Sequence, residues 1–216
     1  MAVLGWAKEA VSRGYVALVL DSLVPRSVDT VCMGAKGGIN FPRGVRDAHQ
    51  AAQHLRTLPY VDSNRIGFVG FTWGGMVGLL SAAAAWRNAL SAGSRFGAIM
   101  AFYPGCVEIR PANGRPYQVV NSDIDVPTLV LMGKQDFETP PDECTARLES
   151  VKANGGPVEW HLYPGAAHCW DCQNLNRFRK TDFSGTSVEY RYDGDVSKDS
   201  ADRMFGFFEK ALGRSR

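Results

Sequence analysis

No apolar run in this sequence approaches the ~20 residues that a membrane-spanning helix needs. The longest candidate, MVGLLSAAAAW at 76–86, reads as a buried core helix. Charge of one sign is lacking too. The 24 basic and 22 acidic side chains leave a formal net charge of +2, which gives no electrostatic case for nucleic acid or an anionic membrane as partner. The opening MAVLGWAKEA has neither the basic start nor the long apolar stretch of a signal peptide, so a cytoplasmic location is expected. No G-x-G-x-x-G stands after a strand pattern, which argues against a nucleotide cofactor. Metal is not expected either. Cys169 and Cys172 make one C-x-x-C, but no second pair follows at zinc-site spacing, and the pair does not open a helix as a redox motif would. The five cysteines are an odd number, so at least one stays outside any intramolecular disulfide.

What is present is an ordinary soluble composition, 45% hydrophobic and 21% charged, in 216 residues. That length suits one domain spanning 1–216 and is short for two. WAKEAVSRG (6–14) has an amphipathic helical pattern closed by Gly14. YVALVLDS (15–22) is a continuous run rich in valine and leucine, as in a strand covered on both faces. VRDAHQAAQHLRTLP (45–59) sets Val45, Ala48, Ala52 and Leu55 on one helical face. Further strands are expected at 65–69, 96–105, 126–133 and 158–165, with helices over 73–86, 141–156 and 198–213. Strands separated by helices predict an α/β fold, a mostly parallel sheet with helices on both faces. Reactive groups in such folds gather at the carboxyl ends of the strands.

Three candidates fall there. Thr72 follows the strand at 65–69, within GFVGFTWGG; Asp136 follows 126–133, in LMGKQDFETP; His168 follows 158–165, in YPGAAHCWD. Nucleophile position, acid, histidine is the chain order of the triads built on sharp strand-to-helix turns. A hydroxyl attacks an acyl carbon poorly until a base takes its proton. Imidazole suits that task because it titrates near neutrality, and a carboxylate fixes its tautomer. Gly70, Gly74 and Gly75 would let the strand turn tightly, aiming the Trp73 N–H at a developing oxyanion. His49, His54 and His161 fall within predicted helix or strand and read as exposed or packed. Arg43, Arg46 and Asp47 read as braces for the loop before their helix.

The stretches RGYVALVLDSLVPR, RDAHQAAQHLRTLPYVDSNRIGFVGFTWGG, FYPGC, VPTLVLMGKQDFETP and YPGAAHCWD together resemble the dienelactone hydrolase family of α/β-hydrolases, from about residue 6 to 210. The resemblance implies hydrolysis of esters or lactones through an acyl-enzyme, with Asp136 as acid, His168 as base and Thr72 at the nucleophile. It implies no cofactor or metal, and a small-molecule ester or lactone as the only ligand. Tyr103 and Trp170, near the nucleophile and the histidine, would line an acyl pocket beside Trp73. Cys32, Cys106 and Cys144 match family-like contexts as structural thiols or disulfides.

The sequence departs from the family in two places. The family carries cysteine, or serine in relatives, where this chain has Thr72, and a β-branched residue at such a turn is expected to weaken activity. Family members also begin with strands leading to an oxyanion loop, whereas this chain opens at the helix that follows, so an N-terminally shortened sheet is expected. A shortened sheet would expose a strand edge, inviting pairing with another copy. The alternative reading is a non-catalytic relative that binds a small ligand or a partner chain.

Overall fold

The computed structural model describes residues 2–91, 94–182 and 185–213. Four parallel strands form the central sheet: β1 (Gly67–Phe71), β2 (Ala98–Phe102), β5 (Thr128–Gly133) and β6 (Val158–Tyr163), side by side in the order β1-β2-β5-β6. Registers run Phe71 to Phe102, Phe102 to Leu131 and Leu131 to His161, so the strands end nearly level. Two short antiparallel hairpins lie outside this sheet, β3 (Glu108–Ile109) with β4 (Tyr117–Gln118) and β7 (Arg179–Thr181) with β8 (Ser187–Glu189).

Helices cover both faces. Along β2, Ile99 and Ala101 point to one core, while Ala98, Met100 and Phe102 point to the other. The period-two alternation of a strand explains why both sets must be apolar: there is no solvent side. The first core is closed by α2 (Phe41–Arg56), α3 (Trp73–Ala82), α4 (Ala84–Leu90) and α5 (Pro141–Ala153), through residues such as Val45, Val77 and Leu148. The second is closed by α1 (Ala2–Ser12) and α6 (Gly194–Leu212), through Trp6, Met204, Phe205 and Phe208. Residues 22–40, which include a short 3₁₀ helix at Val24–Arg26, are held to α2 by Arg26, which pairs with the buried Asp47 at 3.0 Å, while Arg43 pairs with the same carboxylate at 2.6 Å from within α2. Of Arg43, Arg46 and Asp47, Asp47 braces that loop, through Arg26; Arg43 bonds to Asp47 within the helix, and Arg46 is exposed. The amino end of α2 is fixed by the Asn40 side chain, which accepts the Arg43 N–H at 2.9 Å.

Two expectations fail. The single helix expected over 73–86 breaks at Ala83, whose extended backbone (φ −80°, ψ 132°) bridges to Ile124 and separates α3 from α4. The strand expected at 15–22 forms no ladder; Val16, Leu18, Val19 and Leu20 are exposed. A strand needs a neighbour to take its N–H and C=O groups, and β1 pairs with β2 alone among the described residues. No helix among the described residues is long and apolar enough to cross a membrane.

Candidate active site

Thr72, Asp136 and His168 all lie just beyond the carboxyl ends of sheet strands, following β1, β5 and β6. Thr72 sits where β1 turns into α3, at φ 50° and ψ −111°. A β-branched residue is strained in that region. Its N–H donates to the Phe102 carbonyl at 3.0 Å and its carbonyl accepts the Met76 N–H at 3.1 Å, so hydrogen bonds hold the strain in place. The three glycines differ in purpose. A Cβ on Gly70 would lie 2.1 Å from the Gly74 carbonyl oxygen, and one on Gly75 would lie 3.2 Å from that of Phe102. One on Gly74 would meet nothing within 4 Å, so space does not demand glycine there. Trp73 opens α3, and its N–H is among the first-turn donors that a helix leaves without an intrahelical acceptor. Its indole stacks on Phe41, with ring centroids 5.6 Å apart, and fills the space beside Gly44.

The triad atoms meet. Thr72 Oγ1 lies 2.9 Å from Nε2 of His168, and Nδ1 of His168 lies 2.7 Å from Oδ2 of Asp136. With Nδ1–H donated to the carboxylate, Nε2 is left to accept the threonine hydroxyl. Asp136 and His168 are each 2% exposed, so these bonds form in a largely dry setting, where they are stronger than in water. Asp136 is itself aimed by the turn that follows it. Its Oδ1 accepts the Glu138 and Thr139 N–H groups at 3.0 and 2.9 Å, and its Oδ2 also accepts the Thr139 hydroxyl at 2.8 Å.

Tyr103 and Trp170, expected to line an acyl pocket, are core residues instead, 1% and 0% exposed. Tyr103 packs on the histidine, and Trp170 packs on Tyr103 with ring centroids 4.8 Å apart. The Tyr103 ring lies 4.7 Å from that of His168, and its hydroxyl donates to Oδ1 of Asp171 at 2.7 Å. Burial, then the Asp171 charge, push the Tyr103 phenol well above its ordinary pKa, which keeps that donor protonated. Trp6 on α1 donates its indole N–H to the other Asp171 oxygen at 2.7 Å, and the Trp170 indole donates to Ser200 on α6 at 3.3 Å. Tyr103, at φ 37°, and Cys169, at φ 57°, join Thr72 among the non-glycine residues with left-handed backbone. Strain therefore concentrates around the triad, as is common at functional sites.

Several site residues escape a reading of the sequence. Thr139 had a signal, since Asp-Phe-Glu-Thr-Pro is a sequence suited to a turn closed by the aspartate side chain. Glu138, Lys180 and Tyr190 had none, because the hairpin that carries the last two comes over the site only in the folded chain. Glu138 Oε1 accepts from Lys180 Nζ at 2.7 Å, and Oε2 accepts from the Tyr190 hydroxyl at 2.8 Å. Burial opposes the Lys180 charge, but its bonds to Glu138 and Tyr190 outweigh this and raise its pKa. Burial pushes the Tyr190 phenol up to about 12; Lys180 acts against the shift and Glu138 with it.

The cysteines pair as Cys106–Cys144 and Cys169–Cys172, and Cys32 is free and exposed. Cys169, Asp171 and Cys172 have ligand atoms within 4.8 Å of one another, the one such metal-capable group found among the described residues. With both sulfurs in a disulfide and both Asp171 oxygens taking donors, this group does not fit a cation as it stands. A cavity of about 800 Å³ lined by Arg56, Asn64, Phe96 and Pro127 lies at the opposite ends of the strands, away from the triad. A groove of about 410 Å³ is lined by Gln135, Phe137 and Ala167, the chain neighbours of Asp136 and His168, with Arg179 and Glu189 of the β7–β8 hairpin.

Comparisons with known proteins agree with this layout. Solved structures share the fold. An alpha/beta hydrolase enzyme from a Medee basin deep-sea metagenome library superposes with a TM-score of 0.61 at 21% identity, over 84% of this chain and 69% of that one. A protein from Klebsiella pneumoniae described as a dienelactone hydrolase gives 0.56 at 21%, over 78% and 60%. A thermophilic esterase from Thermogutta terrifontis, solved with propionate bound, gives 0.60 at 17%, over 84% and 70%. The chain thus spans 60–70% of the length of these structures. No curated protein matches in sequence. The sheet order, the strand-to-helix turn and these superpositions make this an α/β-hydrolase fold. The model of the dienelactone hydrolase family matches residues 6–212, nearly the whole chain, and this protein belongs to that family.

Proposed function

We propose that this hydrolase cleaves carboxylic esters or lactones through an acyl-enzyme on Thr72. The observation that carries the reading is the unbroken run of contacts from Thr72 Oγ1 to His168 Nε2 at 2.9 Å and from Nδ1 to Asp136 Oδ2 at 2.7 Å. His168 takes the hydroxyl proton as Oγ1 attacks the acyl carbon, and returns it to the leaving alkoxide. Asp136 keeps the imidazole in the required tautomer and balances its positive charge. The Trp73 N–H, at the positive end of α3, supplies one donor to the oxyanion. The triad itself calls for no metal or organic cofactor. The strained backbone at Thr72 and its extra methyl support a rate below that of a serine enzyme. The two disulfides fit an oxidising compartment better than the cytoplasm that the amino end suggested.

The test is hydrolysis of p-nitrophenyl acetate by the chain, by Thr72→Ala and by His168→Ala. Turnover in the parent and background rates in both variants support the reading. Equal rates in all three leave a binding protein with the same fold.

A further inference from the structure

Glu138 stands beside the triad with no part in the scheme above. Its Oε2 lies 3.9 Å from His168 Nε2, the nitrogen that exchanges protons with Thr72. Its place is fixed on two sides by the β7–β8 hairpin and its following residue, through Lys180 on Oε1 and Tyr190 on Oε2. An ionised carboxylate offers about four acceptor positions. These two bonds fill one on each oxygen and leave a lone pair on Oε2 beside the imidazole.

We propose that Glu138 orients the water that releases the acyl group, a role that rests on the acyl-enzyme reading above. Once Oγ1 is acylated it no longer donates to Nε2, and that nitrogen becomes an open acceptor. A water giving one proton to Nε2 and the other to Oε2 bridges them, since two hydrogen bonds of ~2.8 Å reach across the gap. Its oxygen lone pair then faces the acyl carbon on Thr72. In the step, the water oxygen forms a bond to the acyl carbon as its proton passes to Nε2. The tetrahedral adduct collapses by breaking the bond between carbon and Oγ1, and the Nε2 proton goes to Oγ1. The products are the free acid and the restored Thr72 hydroxyl; no electrons are exchanged with any other species. Lys180 balances the Glu138 charge, so the carboxylate can sit near the oxyanion without a net negative field.

The role separates the two halves of the reaction. Glu138→Gln keeps the shape and an acceptor for Lys180 but removes the carboxylate. With p-nitrophenyl acetate, the first-turnover release of p-nitrophenolate is expected to stay within about twofold of the parent. Steady-state turnover is expected to fall on the order of tenfold or more, the low end of what positioned proton transfer contributes. Intact-mass analysis of quenched enzyme is expected to show more acetylated Thr72 in the variant than in the parent. Hydroxylamine, which attacks the acyl group without a base, is expected to restore turnover in Glu138→Gln, a rescue that a misfolded enzyme would not show. Glu138→Asp, which keeps the charge, is expected to fall between the two. Unchanged turnover and unchanged acyl occupancy in Glu138→Gln overturn the proposal while leaving the acyl-enzyme intact. A parent that hydrolyses the ester without ever labelling Thr72 overturns the acyl-enzyme itself, and this role with it.

Discussion

The Thr72 hydroxyl lies 2.9 Å from Nε2 of His168, although the two residues are 96 positions apart in the chain. Two parallel strands of the sheet, β1 and β6, bring them together by delivering their loops to the same rim. The geometry suits proton transfer, and on the proposed reading the departure from a serine enzyme is the side chain that gives the proton. Thr72→Ser keeps the hydroxyl, removes the methyl and eases the φ 50° backbone. Its kcat/KM on p-nitrophenyl acetate is expected to rise on the order of 10²-fold, ~2.7 kcal/mol of barrier. A rate at or below the parent's would show that the methyl is not what limits the site.

Tyr103 and Asp171 bind the loop after the histidine to β2. Tyr103→Phe removes one donor from a carboxylate that is buried and also held by Trp6. Leaving that oxygen unsatisfied is expected to cost about 1–3 kcal/mol of stability. Urea unfolding of the parent and the variant gives the value directly, and matching midpoints would mean that water replaces the phenol.

His49 is a buried histidine of α2, packed 4.8 Å from the Phe96 ring, and neither ring nitrogen has a hydrogen-bond partner among the described residues. Burial first, then the nearby Arg56 and Arg87, push its pKa down from 6.5 to about 4. The unfolded chain therefore binds this proton at higher pH than the folded chain does. Stability from this group is complete above pH 6.5 and declines as pH falls toward about 4. His49→Phe is expected to flatten that part of the curve, read as urea midpoints at about pH 7.5 and about pH 5. An equal acid loss in both proteins would assign the effect elsewhere.

The Cys106–Cys144 bond joins the segment after β2 to α5 across 38 positions, whereas Cys169–Cys172 spans 3. Loop-closure entropy makes the long link worth about 4 kcal/mol and the short one less. The double variant Cys106→Ala with Cys144→Ala is expected to lose about 2–4 kcal/mol in denaturant titration. A negligible loss would mean that the unfolded chain gains nothing from breaking the link.

A β1 edge with no partner strand among the described residues and the exposed run Val16 to Leu20 leave apolar surface that a second copy would cover. Sedimentation velocity is expected to show association that grows with concentration and is suppressed by Val16→Lys with Leu18→Lys. Monomers at every concentration would exclude self-pairing through this edge.

Much of this was legible in the residues. The runs at 96–105 and 126–133 read as strands and are strands at Ala98–Phe102 and Thr128–Gly133. Gly70 read as part of a sharp turn, and the turn requires it. Other readings failed where a local pattern says nothing about neighbours. YVALVLDS has the composition of a central strand yet pairs with none, because pairing belongs to the adjacent chain segment and not to the run itself. Tyr103 ends a strand and Trp170 comes two residues after His168, which suggested a place in the pocket, yet their side chains turn inward to hold Asp171 and Ser200.

The sequence by itself determined the alternation of strand and helix, the sharp turn at Thr72 and the order of the three reactive residues. Each of these depends on residue type and short-range spacing. Only the tertiary structure decided that Glu138, Lys180 and Tyr190 meet beside His168, that Asp171 takes donors from α1 and from the residue after β2, and that Cys106 pairs with Cys144. Those contacts join segments separated by tens to more than a hundred residues, and no periodicity in a chain records a distance that only packing creates.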